Sequence, residues 1–241
     1  MQKILSYVRR ACLEFDLISD GDKVAVGLSG GKDSLVLLAA LAHMQRYMSS
    51  PKFELCAVTM DPMFFGKKGD FSAVQRFCAE REVPWTLFCT DIYEIVFEAR
   101  KEKNPCSLCA KMRRGALHDA ALELGCNKIA FAHSFDDVVE TFVMNLFKEG
   151  RVGCFSPKSY LSRKDLTLIR PLVFVPESTI IGYTEQNKYP IVKSLCPIDK
   201  ATYRQEIKEF LAMRELSDSG FKHRMFTALR KSGVDGWGIK P

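Results

Sequence analysis

Two adjacent glycines follow a short apolar run near the N-terminus, and polar and charged side chains flank them. The loop consists of Ser29, Gly30, Gly31, Lys32, Asp33 and Ser34. Adjacent glycines permit positive φ angles and close approach of a ligand to the backbone, and the helix predicted after the loop directs its free N–H groups at that ligand. Lys32 adds a positive charge, and the hydroxyl groups of Ser29 and Ser34 can donate to phosphate oxygens. The loop therefore predicts an anion site rather than a plain strand-to-helix turn.

This loop differs from two familiar phosphate-binding motifs. A Walker A loop needs glycine at position 26, where the chain has Val26, and Ser or Thr after the lysine, where it has Asp33. A dinucleotide fingerprint needs Gly-x-Gly-x-x-Gly, which the sequence lacks.

A pair of cysteines carries a second kind of chemistry. Cys106 and Cys109 open a helical pattern, and Arg113 falls on the same stripe of that helix. A cation at this place would lower the pKa of the thiols and stabilise an anionic ligand or a developing oxyanion. The structural alternative for Arg113 is an ion pair with Glu102 or Asp119.

Cys196 lies outside any regular strand or helix pattern. Three cysteines can hold three corners of a [4Fe-4S] cluster and leave one iron open for chemistry. Spacing alone leaves a zinc site and a redox or inert pair as alternatives, although the sequence has neither a second Cys-x-x-Cys nor a His-x₃₋₅-His motif. The remaining cysteines fall in apolar patterns or loops, where we expect inert thiols.

A histidine and two aspartates follow the fourth apolar run. Ser134 and Asp137 have the spacing of a capping box, and acidic residues suit the first turn of a helix. The carboxyl ends of the strands in a doubly wound sheet converge on the ligand crevice, so His133, Asp136 and Asp137 are also predicted to face the ligand of the glycine loop. The two interpretations are compatible.

Short apolar runs alternate with longer helical patterns and predict the elements that position these residues. Strands are predicted at 23–28, 53–60, 85–90, 127–132 and 166–170. This alternation indicates an α/β fold with a doubly wound, five-stranded parallel sheet, Rossmann-like, with added N- and C-terminal helices. We predict an N-terminal helix at 1–20, a nucleotide-binding domain at 21–175 and a C-terminal helical region at 176–241 that carries Cys196.

Charge, apolar runs and cysteine content indicate which classes of protein this chain can belong to. The 241 residues include 35 Lys and Arg against 29 Asp and Glu, a net charge of +6 that is compatible with an RNA partner. The longest apolar run, 35–42, is far shorter than the roughly 18 residues of a membrane span, and charged residues interrupt any signal-peptide core. Nine cysteines without an export signal predict thiols or metal ligands in a cytoplasmic protein.

The loop sequence and its place after the first strand resemble the PP-loop of the N-type ATP pyrophosphatases, which adenylate an oxygen of their substrate. This resemblance implies that the loop holds the pyrophosphate of ATP and that Asp33 helps to hold Mg²⁺. It further implies that three residues at the end of the second strand lie beside the adenine and ribose: Thr59, Met60 and Asp61. His133 and the aspartate pair would contact the nucleotide or Mg²⁺, and an aspartate of the pair would assist catalysis.

Within this group the chain resembles the tRNA 2-thiocytidine synthetases over nearly all of its length from residue 23. The matching segments are 105–115, 132–137, 144–147, 169–172 and 225–226. Cys196, eight residues before Arg204, stands where that family has its third cluster ligand. The resemblance therefore implies a [4Fe-4S] cluster held by Cys106, Cys109 and Cys196.

The function implied by this resemblance is an ATP-dependent sulfurtransferase. Mg-ATP would adenylate a nucleobase carbonyl, that of cytidine in tRNA, and sulfide would then displace AMP. The implied partners are tRNA or another nucleobase acceptor and a sulfur donor such as a cysteine desulfurase, with a homodimer as one oligomeric option. Three alternatives remain open: a zinc-containing, lysidine-type tRNA ligase, thiolation of a small-molecule acceptor, and a nucleotide- or RNA-binding module without turnover.

Overall fold

The computed structural model describes residues 1–100, 105–192, 196 and 203–238. In this part of the chain the α-helices are α1 (Gln2–Phe15), α2 (Lys32–Tyr47), α3 (Ser72–Ala79), α4 (Pro105–Glu123), α5 (Phe135–Lys148), α6 (Glu177–Gln186), α7 (Tyr203–Ser217) and α8 (Phe221–Ser232). The strands are β1 (Lys23–Gly27), β2 (Glu54–Asp61), β3 (Trp85–Cys89), β4 (Lys128–Ala130), β5 (Lys158–Leu161) and β6 (Leu166–Ile169).

The strands form one sheet in the order β3-β2-β1-β4-β6-β5. The first five of these pair in parallel, which confirms the α/β class and the five predicted parallel strands. The predicted count of five is corrected by β5, which pairs antiparallel with β6 at the edge of the sheet. This strand has no continuous apolar run, since it contains Lys158 and an exposed Tyr160, and so its sequence gave no strand pattern.

Side chains on the central strand alternate between two hydrophobic clusters. Val24 and Val26 of β1 belong to the larger cluster, which also contains residues of α1, α2, α5 and α8. Ala25 belongs to the smaller cluster with Leu117 of α4. Because successive strand residues point to opposite faces, α4 covers one face of the sheet and the larger cluster covers the other. The Cys-x-x-Cys helix is therefore packed against the sheet.

The N-terminal helix is confirmed, and its predicted apolar stripe is buried. It ends at Phe15 rather than near residue 20, because Asp16 takes a left-handed conformation with φ 50°. Its buried residues join the same cluster as those of α8, so one core runs through all three predicted segments. The division at residues 20 and 175 stays a prediction. Within the described residues, no helix has the length and apolar character needed to cross a membrane.

Candidate active site

The glycine loop connects β1 to the buried helix α2. Gly30 has φ +80°, and a Cβ atom there would lie 2.9 Å from the Cβ of Val192, so both conformation and space require glycine. Gly31 is the N-cap and has no side chain to cap the helix. The N–H groups in the first turn of α2 are therefore available to an anion. The hydroxyl oxygens of Ser29 and Ser34 lie 3.2 Å apart beside them.

Lys32 and Asp33 form an ionic cluster with Glu177, a residue distant in the sequence. The Lys32 ammonium lies 2.8 Å from Asp33 Oδ2 and 2.9 Å from Glu177 Oε1. Burial raises the pKa of Asp33, while Lys32 opposes that rise. Asp33 Oδ1 is buried without a hydrogen-bond partner among the described residues. A hard cation is the kind of ligand that this free carboxylate oxygen fits.

The loop opens into a cavity of about 980 Å³ at the carboxyl edge of the sheet. Eight of the predicted site residues line it: Ser29, Gly31, Asp33, Ser34, Met60, Arg113, His133 and Asp137. Eight others lie outside its lining: Gly30, Lys32, Thr59, Asp61, Asp136, Cys106, Cys109 and Cys196. Its volume is at the top of the range of about 300–1,000 Å³ that is typical of small-molecule sites.

The end of β2 presents one of its three predicted residues to the cavity. Thr59 is buried, where its hydroxyl donates to Leu28 O at 2.7 Å and accepts from Trp85 Nε1 at 2.9 Å. Asp61 accepts backbone N–H groups from Met63 and Gly69. The side chains of Thr59 and Asp61 are thus engaged in hydrogen bonds within the protein. Met60 lines the cavity and supplies an apolar surface beside the loop.

The aspartate pair divides into one structural residue and one that faces the cavity. Asp136 is buried, accepts the N–H of Glu177 at 2.7 Å and pairs with Lys222 at 2.7 Å. Asp137 completes the predicted capping box with Ser134, which is confirmed. Its Oδ1 lies 3.5 Å from Arg204 Nη1, and the residue lines the cavity. Asp137 can therefore meet a ligand while it caps α5.

His133 stands at the end of β4 on the cavity wall. Its ring lies 4.6 Å from that of Phe155, centroid to centroid. Burial, followed by the charge of Arg170, lowers its pKa to about 4, so the imidazole is neutral near pH 7. Its Nδ1 is buried without a partner in the described part of the chain. A neutral imidazole can accept or donate one hydrogen bond to a ligand.

The structure brings the three predicted cysteines and Arg113 into one neighbourhood. Burial raises the pKa of Cys109, and the thiols of Cys196 and Cys106 raise it further, whereas Arg113 lowers it through its charge and a hydrogen bond. The alternative partner Asp119 pairs with Lys164 instead, and Glu102 lies outside the described residues. Across residues 1–100, 105–192, 196 and 203–238, no three His, Cys, Asp or Glu side chains are arranged to hold a metal ion.

Comparisons with known proteins identify the family of this chain. The model of the PP-loop domain family ATP_bind_3 matches residues 4–214. The chain belongs to this PP-loop family. It is 36% identical over 230 residues to the tRNA-cytidine(32) 2-sulfurtransferase of Citrifermentans bemidjiense, with 94% of this chain and 89% of that protein covered. It is 37% identical over 231 residues to the protein of that name from Geobacter sulfurreducens, with coverages of 95% and 89%.

A solved structure extends the match to three dimensions. The U34-tRNA thiolase NcsA from Methanococcus maripaludis, determined with its [4Fe-4S] cluster, superposes with a TM-score of 0.76 at 26% sequence identity. The match covers 94% of this chain and 77% of that one. The PP-loop fold expected from the sequence is thereby confirmed.

Besides Glu177, two charged residues of this PP-loop site, Arg204 and Glu140, were not predicted from the sequence. Arg204 of α7 lies 3.5 Å from carboxylate oxygens of both Asp137 and Glu140. Burial, followed by the charge of Asp137, raises the pKa of Glu140 to about 7. Glu140 follows Asp137 by one helical turn, and this spacing could have predicted that both carboxylates lie on the same face of α5. The approach of Arg204 depends on the packing of α7 against α5, which local patterns do not report.

Proposed function

We propose that this chain is an ATP-dependent sulfurtransferase that replaces the carbonyl oxygen of a cytidine in tRNA by sulfur. The carbonyl oxygen attacks the α-phosphorus of ATP, and the bond to pyrophosphate breaks. Sulfide then attacks the adenylated carbon, and AMP leaves with the oxygen. The reaction is a group transfer without net oxidation or reduction.

The loop side of the cavity would hold the triphosphate. The uncapped N–H groups of α2 and the hydroxyl groups of Ser29 and Ser34 can bind the pyrophosphate that leaves. Lys32 adds a positive charge that Glu177 keeps beside the loop. Asp33 Oδ1, which lacks a described partner, would hold Mg²⁺. Arg204, beside Asp137, can stabilise negative charge that develops at the α-phosphate.

The thiols of Cys106, Cys109 and Cys196 would hold a [4Fe-4S] cluster, which supplies the sulfide nucleophile when it is bound. A cluster binds each thiolate at a different iron, so its ligands lie farther apart than the ligands of one ion. The three thiols nevertheless interact electrostatically.

One observation carries the proposal: Arg113 links the cavity to the cysteines. The residue lines the cavity that contains the PP-loop, and its positive charge lies close enough to Cys109 to lower the pKa of that thiol. A nucleotide bound by the loop and sulfur delivered at the cysteines can therefore meet beside one cation. The names of the relatives, tRNA-cytidine(32) 2-sulfurtransferase and [4Fe-4S]-containing tRNA thiolase, support the same reaction.

The proposal includes three further points. The sulfur comes from a donor such as a cysteine desulfurase, the enzyme acts in the cytoplasm, and it forms a homodimer.

The test is an anaerobic assay of the purified protein with ATP, Mg²⁺, sulfide and unmodified tRNA. We expect pyrophosphate release that depends on tRNA, appearance of 2-thiocytidine, and iron and acid-labile sulfide in the protein. Pyrophosphate release without thiolation, in a protein that contains zinc, would instead identify a ligase. Binding of ATP and tRNA without pyrophosphate release would identify a module without turnover.

A further inference from the structure

The cavity extends well beyond the PP-loop. The loop follows β1, and the neighbours of β1 in the sheet are β2 on one side and β4, followed by β6, on the other. The β2 flank offers Val58 and Met60, next to the place where the resemblance implies adenine. The β4–β6 flank is lined by Phe131, Phe155, Leu161, Leu168, Arg170 and His118. A nucleotide whose phosphates lie on the loop and whose base lies on the β2 flank leaves this second flank free.

Arg170 is the most unusual residue of the second flank. Only 8% of it is exposed, yet no described carboxylate pairs with it. Its guanidinium donates to Ser156 O and lies 5.0 Å from the ring centroid of Phe155 and 5.9 Å from that of Phe131. Its Nε is buried without a partner among the described residues. A buried cation without an acidic partner is costly, and an electron-rich ligand would offset that cost.

Aromatic rings complete this wall. The rings of Phe131 and Phe155 both lie near the ring of His133, at 5.9 and 4.6 Å between centroids. Phe155 is only partly buried and lines the cavity. Together with Arg170, these flat groups form a surface on which a nucleobase can stack, since aromatic rings and guanidinium planes are the usual partners of unpaired bases.

The mouth of the second flank is basic. Lys111 and Arg114 of α4 are exposed and line the cavity. Arg114 donates a hydrogen bond to the carbonyl of Ala110 within its own helix. The acidic residue Asp119 of the same helix forms an ion pair with Lys164. Neither Lys111 nor Arg114 has an ion-pair partner among the described carboxylates. Such unpaired cations beside a stacking wall suit the phosphates on either side of an unstacked nucleotide.

We propose that the β4–β6 flank is the site of the acceptor nucleotide, with its pyrimidine base on the wall of Phe131, Phe155 and Arg170 and its neighbouring phosphates on Lys111 and Arg114. This inference rests on the proposed function and adds the place of the substrate. It puts the base beside His133, in the same cavity as the PP-loop and Arg113. The target base must leave its stack in the RNA to reach this position.

The test combines a protein variant with an RNA variant. Phe155→Leu removes the ring and keeps an apolar side chain, and Phe155→Tyr keeps the ring. Each anaerobically purified protein is titrated with unmodified tRNA and with the same tRNA made abasic at position 32, the position in the relatives' name. The Kd for ATP, the melting temperature and the iron content are measured for each protein.

The expected result is that discrimination between the intact and the abasic tRNA depends on an aromatic ring at position 155. Wild type and Phe155→Tyr should bind the intact tRNA about tenfold more tightly than the abasic tRNA, and Phe155→Leu should bind both equally, with its Kd for ATP unchanged. Lys111→Ala and Arg114→Ala should weaken binding of both RNAs alike, whereas Arg9→Ala, which removes an exposed charge from α1, should weaken neither.

Two results would overturn the assignment. Phe155→Leu could keep the discrimination between the two RNAs, which would show that this wall does not bind the base. It could instead weaken ATP binding alone, which would assign the wall to adenine. Failure of the proposed function is a separate result, because wild-type protein would then bind the tRNA without thiolating it.

Discussion

Lys32 of the PP-loop is paired with Glu177, the first residue of α6, at 2.9 Å from ammonium to carboxylate. Glu177 is also paired with Lys208 of α7 at 2.8 Å, and its own N–H donates to Asp136. One residue therefore connects the phosphate loop and α7 through its carboxylate, and the aspartate pair through its backbone N–H. We interpret Glu177 as a positioning residue, because it acts on the ligand through Lys32.

Replacing Glu177 by Gln should loosen Lys32. The amide cannot neutralise the two ammonium groups, so Lys32 loses its fixed place beside the loop. We expect kcat/KM for ATP to fall about tenfold, mainly through KM, with the iron content unchanged. Glu185→Gln, which changes an exposed residue of the same helix, is the control and should match wild type. A merely structural role of Glu177 would lower the melting temperature and leave the KM for ATP as it was.

Replacing Gly30 by Ala should disable the loop. The residue has φ +80°, and the new Cβ would lie 2.9 Å from two atoms of Val192, so the loop must move. The strain at this φ angle costs about 1–2 kcal/mol in addition to the clash. We expect tRNA-dependent pyrophosphate release to fall by at least about tenfold. Gly182→Ala in α6, where the added methyl meets nothing within 4 Å, should retain full activity.

The acidity of Glu140 should appear in the pH dependence of stability. Burial raises its pKa from the ordinary value of 4.5 to about 7, so the native state binds a proton that the unfolded state releases. Between these two values the native state holds more protons, and its free energy of unfolding therefore falls as the pH rises. Glu140→Gln should remove this fall. Denaturant titrations of both proteins from pH 4.5 to 7.5 measure it, and parallel curves would show that Glu140 ionises normally.

Arg113 should matter for turnover and little for folding. Its charge lowers the pKa of Cys109, it lines the cavity, and its alternative partner Asp119 is paired with Lys164. Arg113→Ala should keep its cluster and melt within a few degrees of wild type, but lose roughly 10²-fold in turnover at saturating ATP. Arg113→Lys should restore part of that loss. Reduced stability with unchanged specific activity would make Arg113 a structural residue.

The sequence was sufficient for those parts of the fold that local patterns encode. Apolar runs located β1 to β4 and β6, and helical spacing located α1 and the cysteine helix α4. The edge strand β5 was not predicted, because its stability comes from pairing with β6 rather than from an apolar run of its own. The pattern also placed Thr59 and Asp61 correctly at the end of β2, but could not report that both side chains bond within the protein.

The site was predictable where a motif concentrates its residues and obscure where distant elements meet. The loop and the capping box of Ser134 and Asp137 are contiguous in sequence, so their chemistry could be read directly. Glu177 and Arg204 reach the site from elements far along the chain. Arg170 belongs to a segment that matched the family pattern, yet its burial without an acidic partner became visible only in three dimensions.

The central claim is that the three cysteines hold the iron used in ATP-dependent thiolation of tRNA, and its most direct measurement is the iron, acid-labile sulfide and 2-thiocytidine yield of cysteine variants. Cys106→Ala, Cys109→Ala and Cys196→Ala, purified anaerobically, should each lose the cluster and the thiolation of tRNA. Cys89→Ala, which replaces an exposed cysteine at the end of β3, should retain both. Iron and thiolation retained in any of the three variants, or zinc in place of iron in the wild type, would contradict the account.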